Sequence, residues 1–177
     1  PKGRLREPLE TLALADALLI TRADSGRPLD VIVERLRSFN SKAPLFRART
    51  RPIEWVDLDG ASAPLEDIAQ LPAAAFCGLG NPQAFWRTLD QAGIRRAYFH
   101  TFPDHHRYSP GDLRRLAHHA RVNRAQVLLT TEKDRMNLLE DTHRIVELPV
   151  YWLRIQFEIE PEDEFRALIL KTARRQP

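Results

Sequence analysis

The chain has 177 residues, 43% of them hydrophobic and 29% charged, with 27 Lys and Arg against 24 Asp and Glu for a net charge of +3. That is an ordinary globular composition, enough for one domain or one and a half, and the charge is too mild to imply a nucleic-acid partner. A single cysteine, Cys77, excludes an internal disulfide, no apolar run approaches the ~18 residues of a membrane-spanning helix, and no stretch reads as a signal peptide.

In chain order, residues 8–16 place Leu9, Leu12, Ala13 and Ala15 at near-helical spacing behind Pro8, which suits a first helical position. Residues 17–21 form a short apolar run, expected as a buried parallel strand. A loop at 23–28 leads to an amphipathic helix over 29–40, with Leu29, Ile32, Val33 and Leu36 on one face. Residues 46–51 and 53–56 partly alternate and predict strands with one wet face, followed by a turn at Asp59-Gly60 and a short helix over 64–70.

A regular βα rhythm follows. Residues 73–77 predict a strand, with Cys77 as a small buried apolar residue. Gly78-Leu79-Gly80 predicts a turn, and Asn81 a helix N-cap with Pro82 behind it. The helix over 83–92 ends at Gly93. Residues 97–102 predict a strand, Ser109 caps a helix over 112–121, and 126–130 predict the next strand. Residues 150–160 alternate as a strand, and 161–173 predict a closing helix with Phe165, Leu168 and Ile169 inward. The expected fold class is α/β, layered, with a mostly parallel sheet flanked by helices and a short β-ribbon segment.

Three segments at strand ends carry chemistry, because ligands of open α/β sheets bind at the carboxyl ends of the strands. Phe102-Pro103-Asp104-His105-His106 puts a carboxylate and two imidazoles there, able to move protons near neutral pH or hold a metal. Gly78-Leu79-Gly80-Asn81-Pro82 lets backbone approach a ligand at a helix start, but Gln83 stands where a dinucleotide fingerprint wants glycine. Thr130-Thr131-Glu132-Lys133-Asp134 reads equally as a functional group or as a capped helix start. Capping accounts for Glu132 and Asp134 but not for Lys133. Ahead of the first helix, Arg6 and Glu7 could clamp phosphate or hold a magnesium-bound water, or form a solvated charge run. His118 and His119 point about 100° apart on one helix, so they are read as surface or boundary residues, and His100 as structural. No phosphate-binding G-x-x-x-x-G-K-[ST] loop is present.

Leu5-Arg6-Glu7-Pro8, Gly78-Leu79-Gly80-Asn81-Pro82, Phe102-Pro103-Asp104-His105 and Thr131-Glu132-Lys133-Asp134, in this order and spacing, resemble the C-terminal part of the tetraacyldisaccharide 4'-kinase family of lipid A biosynthesis, over residues 5–153. The resemblance implies a P-loop kinase that uses ATP and Mg²⁺ to phosphorylate the 4'-hydroxyl of a lipid A disaccharide precursor at the cytoplasmic face of the inner membrane of Gram-negative bacteria. In that family the P-loop and an aspartate-rich strand end lie upstream of the Arg-Glu-Pro motif. The chain therefore reads as cut from a longer protein and as inactive alone. Residues 1–44 would be the end of the nucleotide-binding core and its lead-in, and 45–177 a smaller C-terminal α/β domain.

By the same resemblance His105 works beside the nucleotide with an aspartate of the P-loop half; Asp104, its neighbour, could hold its tautomer as a carboxylate does for a catalytic imidazole. Arg6 and Glu7 fall near nucleotide and magnesium, Glu7 indirectly. Gly78, Gly80, Asn81, Glu132, Lys133 and Asp134 form substrate or structural loops. Two other readings remain open: a metal-dependent phosphoesterase using Asp104-His105-His106, with Asp57 and Asp59 as further ligands, and a non-catalytic α/β binding module.

Overall fold

The computed structural model describes residues 5–23 and 28–174. They fall into two compact units: unit 1 holds residues up to Thr50 together with the stretch from Phe157 onward, and unit 2 is Arg51–Gln156. The chain enters unit 2 along one long strand, β2 (Leu45–Asp57), and leaves it along another, β7 (Val150–Glu160).

In unit 1, residues Leu9–Leu14 form a 3-10 helix rather than the expected α-helix. Strand β1 (Leu18–Thr21) pairs in parallel with the start of β2, Leu18 opposite Leu45. Helix α1 (Leu29–Phe39) ends at Asn40, whose amide donates to the carbonyls of Leu12 and Ala15 (2.9 and 3.0 Å) while its oxygen accepts from the backbone of Lys42 and Ala43. The Asn40 backbone N–H closes the helix on the Leu36 carbonyl, and its side chain ties the helix end to the 3-10 segment. Helix α7 (Glu162–Ala173) buries no residue completely. Phe165 packs edge-on against Phe46 with ring centroids 5.0 Å apart. Ile169, expected inward, is 51% exposed, which corrects that expectation.

The two strands expected over 46–56 are one 13-residue strand that runs through Pro52. Proline lacks the ladder N–H and is tolerated where that side of a strand is open. Here β1 covers β2 only over Leu45–Ala48, and β3 (Ser62–Ala63) covers it antiparallel only at Trp55 and Val56, so the stretch around Pro52 lies between them.

Unit 2 is a three-layer sandwich. Its strands run in the order β2, β7, β6 (Val127–Thr131), β4 (Ala73–Cys77), β5 (Arg96–Thr101), and β7·β6, β6·β4 and β4·β5 are parallel. All five residues of β4 are buried, the mark of a strand covered on both faces. Ala73, Ala75 and Cys77 face one core with Val127 and Leu129, under Ile68 of helix α2 (Leu65–Ala69) and Phe85, Trp86 and Leu89 of α3 (Pro82–Gln91). Ala74, Phe76 and Leu128 face the other, with Leu113 and Leu116 of α4 (Pro110–Val122) and Val146 of α6 (Thr142–Val146). This two-residue alternation lets one strand serve two cores. Each fully buried Leu or Phe contributes about 1.5–3 kcal/mol by leaving water.

The sheet order places the site. From β4 the chain crosses through α3 to β5 on one side, then through α4 back past β4 to β6 on its other side. The carboxyl end of β4 is therefore a topological switch point, where the connections diverge and leave a crevice.

Candidate active site at the carboxyl ends of three strands

The three strand-end segments singled out in the sequence meet here. Gly78 follows β4, Pro103 to His106 follow β5, and Glu132 to Arg135 form α5, a single helical turn after β6. The cluster has a buried floor and an exposed rim.

Asp134, 0% exposed, makes the floor. Its Oδ1 accepts from the backbone N–H of Gly78 (2.9 Å) and from the Tyr108 hydroxyl (2.9 Å), and its Oδ2 accepts from the Thr131 hydroxyl (2.6 Å). Thr131 in turn accepts from the Asp134 backbone N–H (3.1 Å), so it is the N-cap expected of it. Asp134 pins three segments together, because a buried carboxylate must be fully hydrogen-bonded to be tolerated. Beside it, burial and the negative charge of Asp134 hold the Tyr108 hydroxyl far above its ordinary pKa, and burial with the same charge pushes the Cys77 thiol up to about 12. Neither group ionises near neutral pH, and Cys77 is structural. Tyr108 closes the loop that the sequence singles out, two residues after His106, but nothing in the sequence assigns it a partner.

Gly78 is demanded by this packing. A Cβ there would lie 3.0 Å from the Pro103 carbonyl oxygen and 3.1 Å from Asp134 Oδ1. At Gly80 a Cβ would meet only the Asp104 carboxylate, at 3.0 Å. Asn81 occupies the N-cap position of α3 but makes no side-chain cap hydrogen bond, which corrects the capping expected of it. Pro82 begins the helix as expected.

Asp104, His105 and Lys133 make the rim, with side chains 45%, 76% and 42% exposed. Lys133 Nζ donates to Asp104 Oδ1 (2.8 Å) and lies 3.4 Å from His105 Nε2. The Lys133 hydrogen bond, aided by the charges of Lys133 and His105, holds the Asp104 carboxyl below its ordinary pKa against the opposing effect of burial. His105 sits in the left-handed region at φ 59°, a conformation that costs a non-glycine residue energy and is concentrated at functional sites. Its backbone N–H donates to Asp104 Oδ1 (3.1 Å) and to the Gly78 carbonyl (3.3 Å), and this holds it there. Asp104 Oδ2 lies 3.8 Å from His105 Nε2, too far for a hydrogen bond. Asp104 thus fixes the backbone of His105 and not its ring, contrary to the expectation that it holds the imidazole tautomer.

His106 turns away. Its Nε2 lies 3.1 Å from Asp112 Oδ2, and its ring stacks on Phe102 at 4.5 Å. Asp112 and Ser109 form the capping box of α4, and the Ser109 hydroxyl and N–H, with His106 adding to them, pull the Asp112 carboxyl down to about 2. Two adjacent histidines therefore part, one into the scaffold and one toward solvent. Glu132 is exposed. Arg6 and Glu7 belong to unit 1, where both are exposed ahead of the 3-10 helix.

Asp57 Oδ1 accepts from the backbone N–H groups of Asp59 and Ala61 and closes the turn. Among the described residues no group of three or more His, Cys, Asp or Glu side chains is arranged to hold a metal ion. Among them, too, no helix is long and apolar enough to cross a membrane.

A layered α/β protein with an acid, an imidazole and an ammonium at its switch point is the class that fold and site define. The family model described as LpxK, tetraacyldisaccharide-1-P 4'-kinase, matches residues 1–174. The chain belongs to that family. It is 34% identical to the tetraacyldisaccharide 4'-kinase of Syntrophus aciditrophicus over 185 residues, covering 97% of this chain and 48% of that protein. It is 34% identical to the enzyme of the same name from Halothermothrix orenii over 153 residues, covering 80% and 40%. The crystal structure of an "apo" form of LpxK from Aquifex aeolicus in complex with ATP superposes with a TM-score of 0.65 at 26% identity, covering 97% of this chain and 47% of that one. The chain spans about half the length of the relatives it matches.

Proposed function

We propose that this chain is the C-terminal part of a kinase that transfers the γ-phosphoryl group of ATP to the 4'-hydroxyl of a tetraacyldisaccharide 1-phosphate in lipid A biosynthesis. The observation that carries the reading is the exposed Asp104–His105 pair at the switch point of a chain that this kinase family matches along its length. An exposed imidazole at a strand end is placed to take the proton of an attacking hydroxyl. As the sugar oxygen bonds to the γ-phosphorus, the bond to the bridging oxygen breaks, ADP leaves, and the hydroxyl proton passes to His105. Positioning and charge stabilisation supply most of the acceleration in phosphoryl transfer, and the base is the smaller part.

Arg6 and Glu7 are proposed for nucleotide phosphate and for a water on its magnesium. A magnesium ion on nucleotide phosphates needs few protein carboxylates, because it keeps several of its waters. Residues 1–44 are taken as the end of the nucleotide-binding core, and the phosphate cradle as the province of a P-loop half that this chain does not contain. The full-length protein would meet its lipid substrate at the cytoplasmic face of the inner membrane.

The test measures ATP-dependent phosphorylation of tetraacyldisaccharide 1-phosphate by the 177-residue chain, alone and combined with the half of the Syntrophus aciditrophicus relative that it does not cover. Transfer only in the combination supports the proposal. Sustained transfer by the chain alone overturns the inactivity assigned to it. Failure of a combination that demonstrably assembles and binds ATP overturns the kinase assignment. Stoichiometric binding of two manganese ions by the chain would favour the phosphoesterase reading instead.

A further inference from the structure

We propose that Lys133, not Asp104, sets the tautomer of His105. The inference deepens the kinase reading and rests on it for the identity of the proton that His105 receives.

The ring of His105 is poorly held by anything else described. Its side chain is 76% exposed, and Asp104 Oδ2 is out of hydrogen-bonding range at 3.8 Å. Among the described residues its one side-chain hydrogen-bond partner is the Lys133 ammonium, 3.4 Å from Nε2. An ammonium has three donors and no acceptor, so the nitrogen facing it must present its lone pair. The neutral ring therefore carries its proton on Nδ1 and keeps Nε2 free as a base. An unrestrained histidine in water favours the opposite form, with the proton on Nε2, which would point a donor at an incoming hydroxyl.

The chain fixes Lys133 for this task from two sides. Its backbone lies in the turn whose next residue, Asp134, is locked by Gly78, Tyr108 and Thr131. Its ammonium is anchored on Asp104 Oδ1 at 2.8 Å, and Asp104 also holds the His105 N–H. Lys133, Asp104 and His105 form a closed loop of contacts in which the acid orients the lysine and the lysine orients the imidazole. The 3.4 Å contact is long for a hydrogen bond, so an attacking hydroxyl can displace the ammonium from Nε2 at small cost.

The experiment reads the His105 ring directly in this chain by ¹⁵N–¹H correlation spectra of labelled histidine, recorded above the histidine titration range and assigned by the loss of signals in His105→Gln. The wild-type chain is expected to show the Nδ1–H form. Lys133→Met is expected to convert it to Nε2–H, and Lys133→Arg, another donor-only cation, to keep Nδ1–H. A wild-type ring in the Nε2–H form, or a tautomer indifferent to Lys133→Met, overturns the proposal. In the reconstituted enzyme Lys133→Met should lower kcat about tenfold or more, bounded by the effect of removing His105 itself, with KM for ATP unchanged and with partial rescue in Lys133→Arg. Equal kcat in wild type and Lys133→Met overturns the link to the reaction. A tautomer that responds to Lys133→Met in an assembled enzyme without kinase activity would overturn the kinase reading and leave the role of Lys133 standing. An unresponsive tautomer in an active enzyme would do the reverse.

Discussion

Asp134 and Asp104 lie on one cluster of strand ends and do opposite things. Asp134 is sealed at the floor, and its bonds go to Gly78, Tyr108 and Thr131, none of them a reactive group. Asp104 stands at the rim, about half exposed, against a lysine and beside a histidine. The floor is saturated with structural hydrogen bonds, and the rim leaves a carboxylate, an ammonium and an imidazole open to solvent. A buried charge must be saturated with partners and has no capacity left for a ligand, whereas a wet one can exchange its partners. The paired histidines repeat the contrast, with His106 spent on Asp112 and Phe102 and His105 facing solvent.

Substitutions on the two sides should separate activity from stability. The largest effect is expected at the rim: His105→Ala in the complete enzyme should lower kcat by about 10²–10⁴ while stability moves by less than about 0.5 kcal/mol. Steady-state kinetics beside denaturant melts check this, and an unchanged kcat would remove His105 from the chemistry. The floor should answer the other way. Asp134→Ala strands the Gly78 N–H and the Tyr108 hydroxyl and should cost about 3 kcal/mol, read as a lower urea midpoint of unit 2. A change under about 1 kcal/mol would mean that water replaces the carboxylate.

Smaller in expectation is the glycine pair. Gly78→Ala pushes a methyl against the Pro103 carbonyl and should cost about 1–3 kcal/mol. Gly80→Ala meets only the exposed carboxylate of Asp104, a side-chain end that can rotate aside, so it should leave stability nearly intact while displacing that carboxylate from Lys133. Equal destabilisation by both would erase the distinction between floor and rim. The smallest effect concerns the capping box. Asp112 is depressed from 3.8 to about 2, so its contribution is complete above about pH 4 and is lost as pH falls toward 2. It amounts to at most about 2 kcal/mol. Asp112→Asn should flatten acid unfolding over that window, and a slope identical to wild type would locate the acid sensitivity elsewhere.

The βα rhythm of unit 2 was legible because its signals are local. Strand 73–77 is an unbroken apolar run, Ser109 and Asp112 stand three apart as a capping box must, and Gly93 closes α3 with φ 70°. The strand through Pro52 was not legible, since whether a proline breaks a ladder depends on which side of the strand is open. Short α6 was missed altogether, its five residues being too few to show a helical period. Ile169 misled because its spacing fits an inward face, whereas α7 buries no residue completely.

The sequence by itself determined which segments stand at strand ends, Asp104-His105 in one and Glu132-Lys133-Asp134 in another, because hydrophobic periodicity and turn residues act over a few positions. Only the tertiary structure decided their division of labour. Lys133 meets Asp104 across 29 positions and Gly78 meets Asp134 across 56, and no local pattern encodes which of two carboxylates is sealed and which stays wet. That choice comes from the order of the strands: β4 lies between β5 and β6, so their carboxyl ends lie side by side, with Asp134 sealed among them and Asp104 and Lys133 exposed.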